Sequence, residues 1–310
     1  MKNAKLIQLL AMIMASSTMG ARGLACIGDC SDRTDHHVIP LLPAASGDNG
    51  GPVPSDSTAA ACAKYCPHSD SCKATTIGQP DGTGIPAIEC ESHYTCGAGR
   101  RPVGLAELNI GAPSTMQQWF AQTAHLEAAS VDAFRLLRRD LRAHGAPRAL
   151  LRQASRAARE ERRHARRMRA LAKRAKVNSP VPVVVPTPVP SFEELVCHNA
   201  IEGGIRESFG ALVALYQAHH AQDPEVAAAM KKIAREEANH AALSWRISEW
   251  ARPRLTSEAK QRVDMQTQAA AHALLRDVEL PVDIETRRIL GLPDACTSFI
   301  LAKKLLAHSV

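Results

Sequence analysis

The chain has 310 residues, nine cysteines and a net charge of +7. Its only long apolar run lies near the N-terminus and is shorter than the ~18 residues that a membrane-spanning helix needs. Twelve basic residues fall between Arg148 and Lys176 without interleaved aromatic residues. Because binding to single-stranded nucleic acid relies on aromatic stacking, this pattern favours a solvated helix face over a nucleic-acid site.

Residues 1–25 have the pattern of an export signal. Lys2 and Lys5 form a basic start, Leu6–Met14 form an apolar core, and small residues precede Cys26. Cys26 follows Leu24-Ala25, as in a bacterial lipobox, and an even number of cysteines remains if it is lipidated. The sequence therefore predicts export to the periplasm or cell envelope, either as an outer-membrane lipoprotein or as a freely secreted protein.

Residues 26–105 form a predicted small module that is rich in cysteine, glycine and proline. In an oxidising compartment such a short segment needs disulfides to be stable. No Cys-x-x-Cys pair occurs, which argues against structural zinc or a rubredoxin-type iron site. Three disulfides are expected among the six cysteines after Cys26, with Cys197 and Cys296 either paired or free. The six are Cys30, Cys62, Cys66, Cys72, Cys90 and Cys96.

Residues 113–252 are rich in strong helix formers and predict four long helices. Capping signals mark three starts, and Gly145 with the following proline separates the first helix from the second. The starts are Ser114 with Gln117, Ser191 with Glu194, and Asp223 with Pro224. Residues 253–310 are expected to add a C-terminal helical extension.

Between the second and third helices, Val177–Pro190 alternates valine with five prolines. Such a segment adopts an extended polyproline II path of ~3.1 Å per residue and reaches roughly 40 Å. That is the length of a helix of about 27 residues. The sequence predicts an all-α four-helix bundle in which one long crossover makes the third helix parallel to the second.

An octet in the second helix, Ala158–Ala165, recurs in the fourth as Ala234–Ala241, 76 residues later. Each copy contains Glu-x-x-His. The similarity extends backward, since the segment around Glu127 corresponds to the segment around Glu202 with a shift of 75. This pattern indicates an internal duplication of a helical hairpin. The motif residues are Glu161, His164, Glu237 and His240.

Helical phase places four carboxylates and two imidazoles on the apolar stripes that face one core. They are Glu127, Glu161, Glu202, Glu237, His164 and His240. Because buried carboxylates need compensation, two divalent cations supplying +4 against −4 are expected there. The alternative, buried salt bridges, is disfavoured because the arginines lie off the stripe. Glu160 and Glu236 also lie off it and are expected to pair with those arginines at the surface.

This pattern resembles the ferritin-like, rubrerythrin-related di-iron carboxylate superfamily, and the chain after Ala25 is similar to exported bacterial ferritin-like proteins with a cysteine-rich N-terminal module. The resemblance implies a ferritin-like bundle that holds two iron ions, with manganese as the alternative metal. It also implies that Glu161 and Glu237 bridge the metals, that Glu127 and Glu202 are terminal ligands, and that His164 and His240 supply nitrogen.

Two features depart from that family pattern. Glu207 lies five residues after Glu202, and a π-bulge at Gly203-Gly204 would rotate it inward as an extra or exchanging ligand. The rubredoxin-like domain is missing, so electrons must come from a separate donor. His198 lies one turn before Glu202 on the same stripe and is expected to be a core histidine, with a supporting role behind the metal ligands as the alternative. Asp132 and His125 flank the stripe of the first helix and are candidates for pairing with Glu207 or His198.

Mixed Glu and His ligation suits iron or manganese. The resemblance implies an oxidoreductase of peroxidase, oxidase or ferroxidase type that reacts with dioxygen or peroxide. The alternative is a non-catalytic metal-binding protein with a storage, scavenging or structural role. No catalytic residue separate from the metal ligands is predicted, and the sequence leaves the oligomeric state open.

Overall fold

The computed structural model describes residues 35–40, 71–78, 84–92, 100–106, 115–276 and 282–309. The predicted signal segment and Cys26 lie outside these ranges. The described part of the chain is mostly helical, in agreement with the all-α prediction. The chain divides into two compact units, one of them Cys30–Tyr94 and the other containing Thr95–Val310.

The smaller unit contains a three-stranded antiparallel sheet that the sequence analysis did not predict. Its strands are β1 (Asp35–Pro40), β2 (Ser71–Gly78) and β3 (Gly84–Ser92), in the order β1-β3-β2. The Thr-Thr-Ile run of β2 is typical of strands. The register pairs the Cα atoms of Cys72 and Cys90. The side chains of the six module cysteines lie outside the described residues, so the three disulfides stay a prediction.

The larger unit begins its bundle with a helical hairpin, α1 (Met116–Ala143) and α2 (Arg148–Arg174). Thr115 and Gln118 form the capping box of α1, one position later than predicted. Between the helices the chain turns at Gly145, whose φ of +71° favours glycine. Most of the basic side chains of α2 are exposed, as expected for a solvated face.

The proline-rich crossover follows α1 along its whole length. Near the start of α1, Ser179 Oγ donates to the Ala121 carbonyl at 3.2 Å. At the end of α1, His144 Nε2 lies 2.8 Å from the Pro190 carbonyl. The crossover therefore runs in the same direction as α1, and the next helix starts at the end of the hairpin where α2 also starts. That helix runs parallel to α2.

The second hairpin consists of one long helical rod and α5. The rod is continuous from residue 192 to residue 220 and has a π-helical segment in its middle. The sequence predicted both starting caps, Ser191 and Asp223. The bounds are α3 Phe192–His198, the π segment Asn199–Arg206, α4 Glu207–His220 and α5 Pro224–Ala251.

Three further helices pack beyond the four-helix core: α6 (Ser257–Arg276), α7 (Ile284–Leu290) and α8 (Ala295–Ser309). Cys197 is a buried free thiol, whereas Cys296 is disulfide-bonded, so the expectation that the two are paired with each other or both free was wrong. Among the described helices, none has the length and hydrophobicity that crossing a membrane requires.

Two apolar clusters stabilise the bundle, one toward each end. One contains Phe120, Met168 and Ile233, and the other contains Phe134 and Ile247. Burying such side chains contributes roughly 1.5–3 kcal/mol each. Glu127 of α1 and the Glu and His residues of the repeated motif on α2 and α5 lie between these clusters, so the polar groups occupy the middle of the buried core.

Candidate metal centre

Four residues from three helices converge in the centre of the bundle. Glu127 comes from α1, Glu161 and His164 come from α2, and Glu237 comes from α5; one ligand atom of each lies within 4.8 Å of the others. All four are buried. His240 joins them, because its Nδ1 is 3.0 Å from Glu161 Oε1 and 3.5 Å from Glu237 Oε2. These carboxylate and imidazole groups can hold a metal ion.

Both imidazoles direct Nδ1 toward the carboxylates. His164 Nδ1 lies 3.4 Å from Glu127 Oε2, 3.5 Å from Glu161 Oε2 and 3.2 Å from Glu237 Oε1. The centroids of the His164 and His240 rings are 6.0 Å apart. Each nitrogen thus faces several oxygens and lies across the cluster from the other, as expected for two ligands of a shared site.

The opposite ring nitrogens are held by the two acids that were expected at the surface. His164 Nε2 lies 2.7 Å from Glu236 Oε2, and His240 Nε2 lies 3.1 Å from Glu160 Oε2. Glu160 and Glu236 are only 3% and 6% exposed, so that expectation was wrong. A carboxylate fixes the proton on the nitrogen it contacts and leaves the other nitrogen free to bind a metal.

The same two acids also bond to arginines at the edge of the bundle, as the sequence predicted. Arg156 donates to Glu160 at 2.9 Å, and Arg163 donates to Glu236 at 3.0 Å. The hydrogen bond from His164 lowers the pKa of Glu236 to about 2, with help from Arg163. Glu236 therefore stays ionised and keeps a proton on His164 Nε2.

Glu202, the predicted fourth carboxylate, is not part of the cluster. Its Oε1 accepts from Arg206 Nη1 at 2.6 Å, and its Oε2 accepts from the Arg101 backbone N–H at 3.0 Å. Burial opposes ionisation, but Arg206 and other nearby cations lower the pKa of Glu202 to about 2. Because both of its oxygens are committed to these partners, Glu202 is not oriented as a ligand.

Glu207 instead lies close enough to His240, Glu237 and Glu161 for their charges to act on its pKa, beside the larger effect of burial. The π segment ends at Arg206, and the wider turn that a π-helix makes changes the phase of every residue after it. Glu207 is 1% exposed, and Ser244 Oγ donates to its Oε2 at 3.4 Å. Its other oxygen is buried without a hydrogen-bond partner. The π-bulge that the Gly203-Gly204 pair predicted is therefore present, and it brings the second acid inward.

Buried polar atoms that make no hydrogen bond mark out the site, although several lie 3.0–3.5 Å from one another as carboxylate–imidazole contacts. Such atoms cost free energy unless something binds them, and folded proteins contain few. Here the cluster contributes nine, in addition to scattered atoms elsewhere in the described part of the chain. The nine are both oxygens of Glu127, Glu161 and Glu237, Glu207 Oε1, His164 Nδ1 and His240 Nδ1. All are atoms that bind metals, so the residues fit a metal centre.

Burial and mutual proximity shift the protonation of these groups. Burial raises the pKa of both Glu127 and Glu207 to about 8. Burial also penalises ionised Glu161, but the nearby imidazoles outweigh it and lower its pKa. The pKa values of His164 and His240 are raised by the surrounding carboxylates, which overcome the opposite effect of burial. The metal-free cluster thus retains protons at positions where cations would bind.

The remaining predicted residues lie outside the cluster. Asp132 pairs with Arg135 at 2.7 Å, and His125 Nδ1 contacts the Pro180 carbonyl at 3.1 Å. His125 therefore makes no hydrogen bond to Glu207 or His198, whereas the predicted pairing of Asp132 with one of them stays a prediction. His198 is half-buried near Glu202 and helps to lower its pKa.

Sequence reasoning also missed Arg100. This residue precedes the helices, yet its side chain is only 1% exposed and reaches Asn199 and Ser244. Helical periodicity carries no signal for it, because it lies on no helix. Comparison of the chain with protein-family models, with curated proteins and with solved structures found no match.

Proposed function

We propose that the larger unit is a ferritin-like four-helix bundle that holds two metal ions, with iron as the resident metal. Three features support this proposal. The bundle consists of two helical hairpins, one long crossover joins them, and each hairpin carries Glu-x-x-His on its second helix. This arrangement is that of dimetal carboxylate bundles.

The proposed ligands are the carboxylates and imidazoles at the centre of the bundle whose buried oxygen and nitrogen atoms make no hydrogen bond. This observation carries the proposal, and it replaces Glu202 with Glu207 in the ligand set that the sequence predicted. Glu161 and Glu237 lie near both imidazoles and are the proposed bridging ligands. The complete set is Glu127, Glu161, His164, Glu207, Glu237 and His240.

Charge balance supports two ions rather than one. Four carboxylates carry −4 when ionised and the buried Arg100 beside Glu207 carries +1, so the remaining −3 exceeds the +2 of a single divalent cation. The acids outside the ligand set have cations of their own: Arg156 for Glu160, Arg163 for Glu236 and Arg206 for Glu202. Ligands that are mainly carboxylate oxygens with two imidazole nitrogens suit iron or manganese.

The proposed activity is oxidoreduction with dioxygen or peroxide as the substrate. A bound pair of reduced irons would supply the electrons. The protein would contribute a dry site between two apolar clusters, carboxylates that can change their binding mode, and imidazoles whose tautomer is fixed by Glu160 and Glu236. Electrons would be restored by a separate donor.

A second candidate is metal storage or a structural metal site. The near-complete burial of every proposed ligand favours it, because such burial leaves little access for a substrate. Redox behaviour separates the two candidates: a storage or structural site binds metal without rapid turnover of peroxide or dioxygen.

The deciding experiment combines metal analysis with stopped-flow absorbance after ferrous loading and peroxide addition. About two irons per chain with rapid turnover are expected. Stable zinc without a redox response would favour the second candidate, and absence of bound metal would overturn both. Glu161→Ala and Glu237→Ala should each lose both ions. Glu225→Ala is the matched control, since this acid is exposed at the far end of α5.

Export remains part of the proposal. Either Cys26 is acylated and anchors the protein to a membrane, or the protein is secreted and Cys26 carries no lipid. Because Cys197 is a free thiol, eight of the nine cysteines remain, and Cys26 is one of them. If Cys26 is not acylated, eight cysteines are available for disulfides and the unfolded protein should contain one thiol. If Cys26 is acylated, seven remain and a second thiol is expected. Thiol titration and intact mass of the exported protein distinguish these outcomes.

A further inference from the structure

The segment 100–106, named here the strap, is attached to the helical bundle along its length. The Arg100 carbonyl accepts a hydrogen bond from Ser130 Oγ on α1 at 2.8 Å. Farther along, the Gly104 carbonyl accepts from the Val185 N–H at 2.8 Å, and the Ala106 N–H donates to the Val183 carbonyl, also at 2.8 Å. These bonds fix the strap against α1 and the crossover.

The Arg100 side chain enters the bundle beside the π segment. Its Nη2 donates to Asn199 Oδ1 at 3.3 Å and its Nη1 donates to Ser244 Oγ at 3.4 Å. The guanidinium lies 5.8 Å from the centroid of the Phe134 ring. A buried arginine is costly unless acids and acceptors surround it. Glu207 is the acid that opposes the loss of its charge most strongly.

The strap is linked to Glu202 directly and to Glu207 through Ser244. The Arg101 backbone N–H donates to Glu202 Oε2 and helps to hold this acid away from the cluster. Arg100 bonds to Ser244, which donates in turn to Glu207 on the inner side. Two adjacent strap residues are therefore linked to these two acids, one through a backbone N–H and the other through a side chain and Ser244.

The π segment changes which of the two acids can face the centre of the bundle. Glu202 and Glu207 are five residues apart, so a regular α-helix would separate them by about 140° and only one could face the core. Asn199, the first residue of the π segment, is held by Arg100 and also donates to the Ser244 carbonyl at 2.9 Å. Gly203 gives Arg100 the space to reach Ser244, because a Cβ there would lie 2.9 Å from Arg100 Nη1.

We propose that the strap selects the metal ligand: Arg100 and the Arg101 N–H keep the rod in its π-helical phase, so that Glu207 faces the centre and Glu202 faces Arg206. This inference rests on the proposed metal site. Arg100 and Arg101 are positioning residues, since neither lies in the ligand set.

The test is a thermodynamic cycle read by Co²⁺ titration of the metal-free full-length protein, with visible absorption reporting coordination. In the wild type, Glu207→Gln should weaken Co²⁺ binding by at least about tenfold, while Glu202→Gln should leave it within about twofold. With Arg100→Ala the two penalties should converge, which is the coupling that contacts in one network show. Unchanged penalties in the Arg100→Ala background would overturn the proposal.

A second pair of variants isolates the backbone contact. Arg101→Pro removes the N–H that holds Glu202, whereas Arg101→Ala removes only the side chain and serves as the control. Arg101 already precedes a proline, so an extended backbone is expected at this position. Arg101→Pro should change the Co²⁺ spectrum and make Glu202→Gln weaken binding; identical behaviour of Arg101→Pro and Arg101→Ala would count against the strap.

Helical circular dichroism and thermal midpoints verify folding of each variant. If Arg100→Ala does not fold, the Arg101 pair decides the question alone. If the wild type binds no Co²⁺, the proposed metal site fails, and that outcome is distinct from a wild type that binds Co²⁺ with no dependence on the strap.

Discussion

Glu160 and Glu236 each bond at once to an imidazole and to an arginine. Each precedes a cluster acid by one residue, so helical phase places it about 100° from the centre of the buried stripe. The phase of one helix cannot reveal that an imidazole of the facing helix reaches across to it. Proximity to the repeated Glu-x-x-His motif was the only available sequence signal.

Replacing Glu236 should therefore weaken metal binding even though it is not a proposed ligand. Glu236→Ala frees His164 Nε2 from its carboxylate, and loss of such a partner costs about 10–100-fold in metal affinity. Glu236→Gln retains an acceptor and should fall between the wild type and Glu236→Ala. Metal titration by calorimetry measures the affinities, with Glu225→Ala as the exposed control. Wild-type affinity in Glu236→Ala would show that the contact does not position His164.

The π segment explains why the sequence predicted most ligands and misplaced one. Five of the six proposed ligands follow regular helical periodicity within a duplicated hairpin. The sixth lies after a change of phase, whose extent depends on tertiary contacts of Asn199, Gly203 and Ser244. The adjacent glycines indicate that a bulge is possible, but not which acid it brings inward. The strap, which bonds to Glu202 and reaches Glu207 through Ser244, lies far away in sequence.

The two glycines of this segment make a matched pair for a stability test. A Cβ at Gly203 would lie 1.8 Å from Ser244 Oγ, whereas a Cβ at Gly204 would meet nothing within 4 Å. Gly203→Ala should lower the free energy of unfolding by roughly 1–3 kcal/mol, as overpacking does. Gly204→Ala should be neutral or stabilise by up to about 1 kcal/mol, since alanine favours helix. Denaturant unfolding of both decides; equal losses would contradict the packing at Gly203.

The buried cluster links metal binding to pH. Folding raises the pKa of Glu127 and of Glu207 from 4.5 to about 8. A group of this kind contributes most to stability below its unfolded pKa, and the contribution is lost as the pH rises toward the folded value. The raised pKa values of His164 and His240 act in the same direction. The metal-free fold should therefore become less stable between about pH 4.5 and pH 8.

Metal ions displace these protons when they bind. Bound metal should therefore stabilise the fold most at a pH at which few protons remain on the cluster. The rise in Tm caused by Mn²⁺ should be larger at about pH 8 than at about pH 5.5. Differential scanning calorimetry with and without Mn²⁺ measures it, and the Glu127→Gln variant should show a weaker pH dependence. A Tm increase that is equal at both pH values would contradict the assignment of protons to the metal-free cluster.

The division into two hairpins has a consequence for how the chain folds. Within each hairpin the helices are joined by a short turn, so their contacts are local and should form early. The contacts between the two hairpins join residues that the crossover separates in sequence. Because the stiff proline-rich crossover lies along α1, closing this loop costs less conformational entropy. Since α1 and α2 supply three proposed ligands and α4 and α5 supply the other three, neither hairpin alone completes the site. Metal can therefore bind with its full ligand set only after the two hairpins have docked. A chelator should accelerate separation of the hairpins while leaving the formation of each one unchanged.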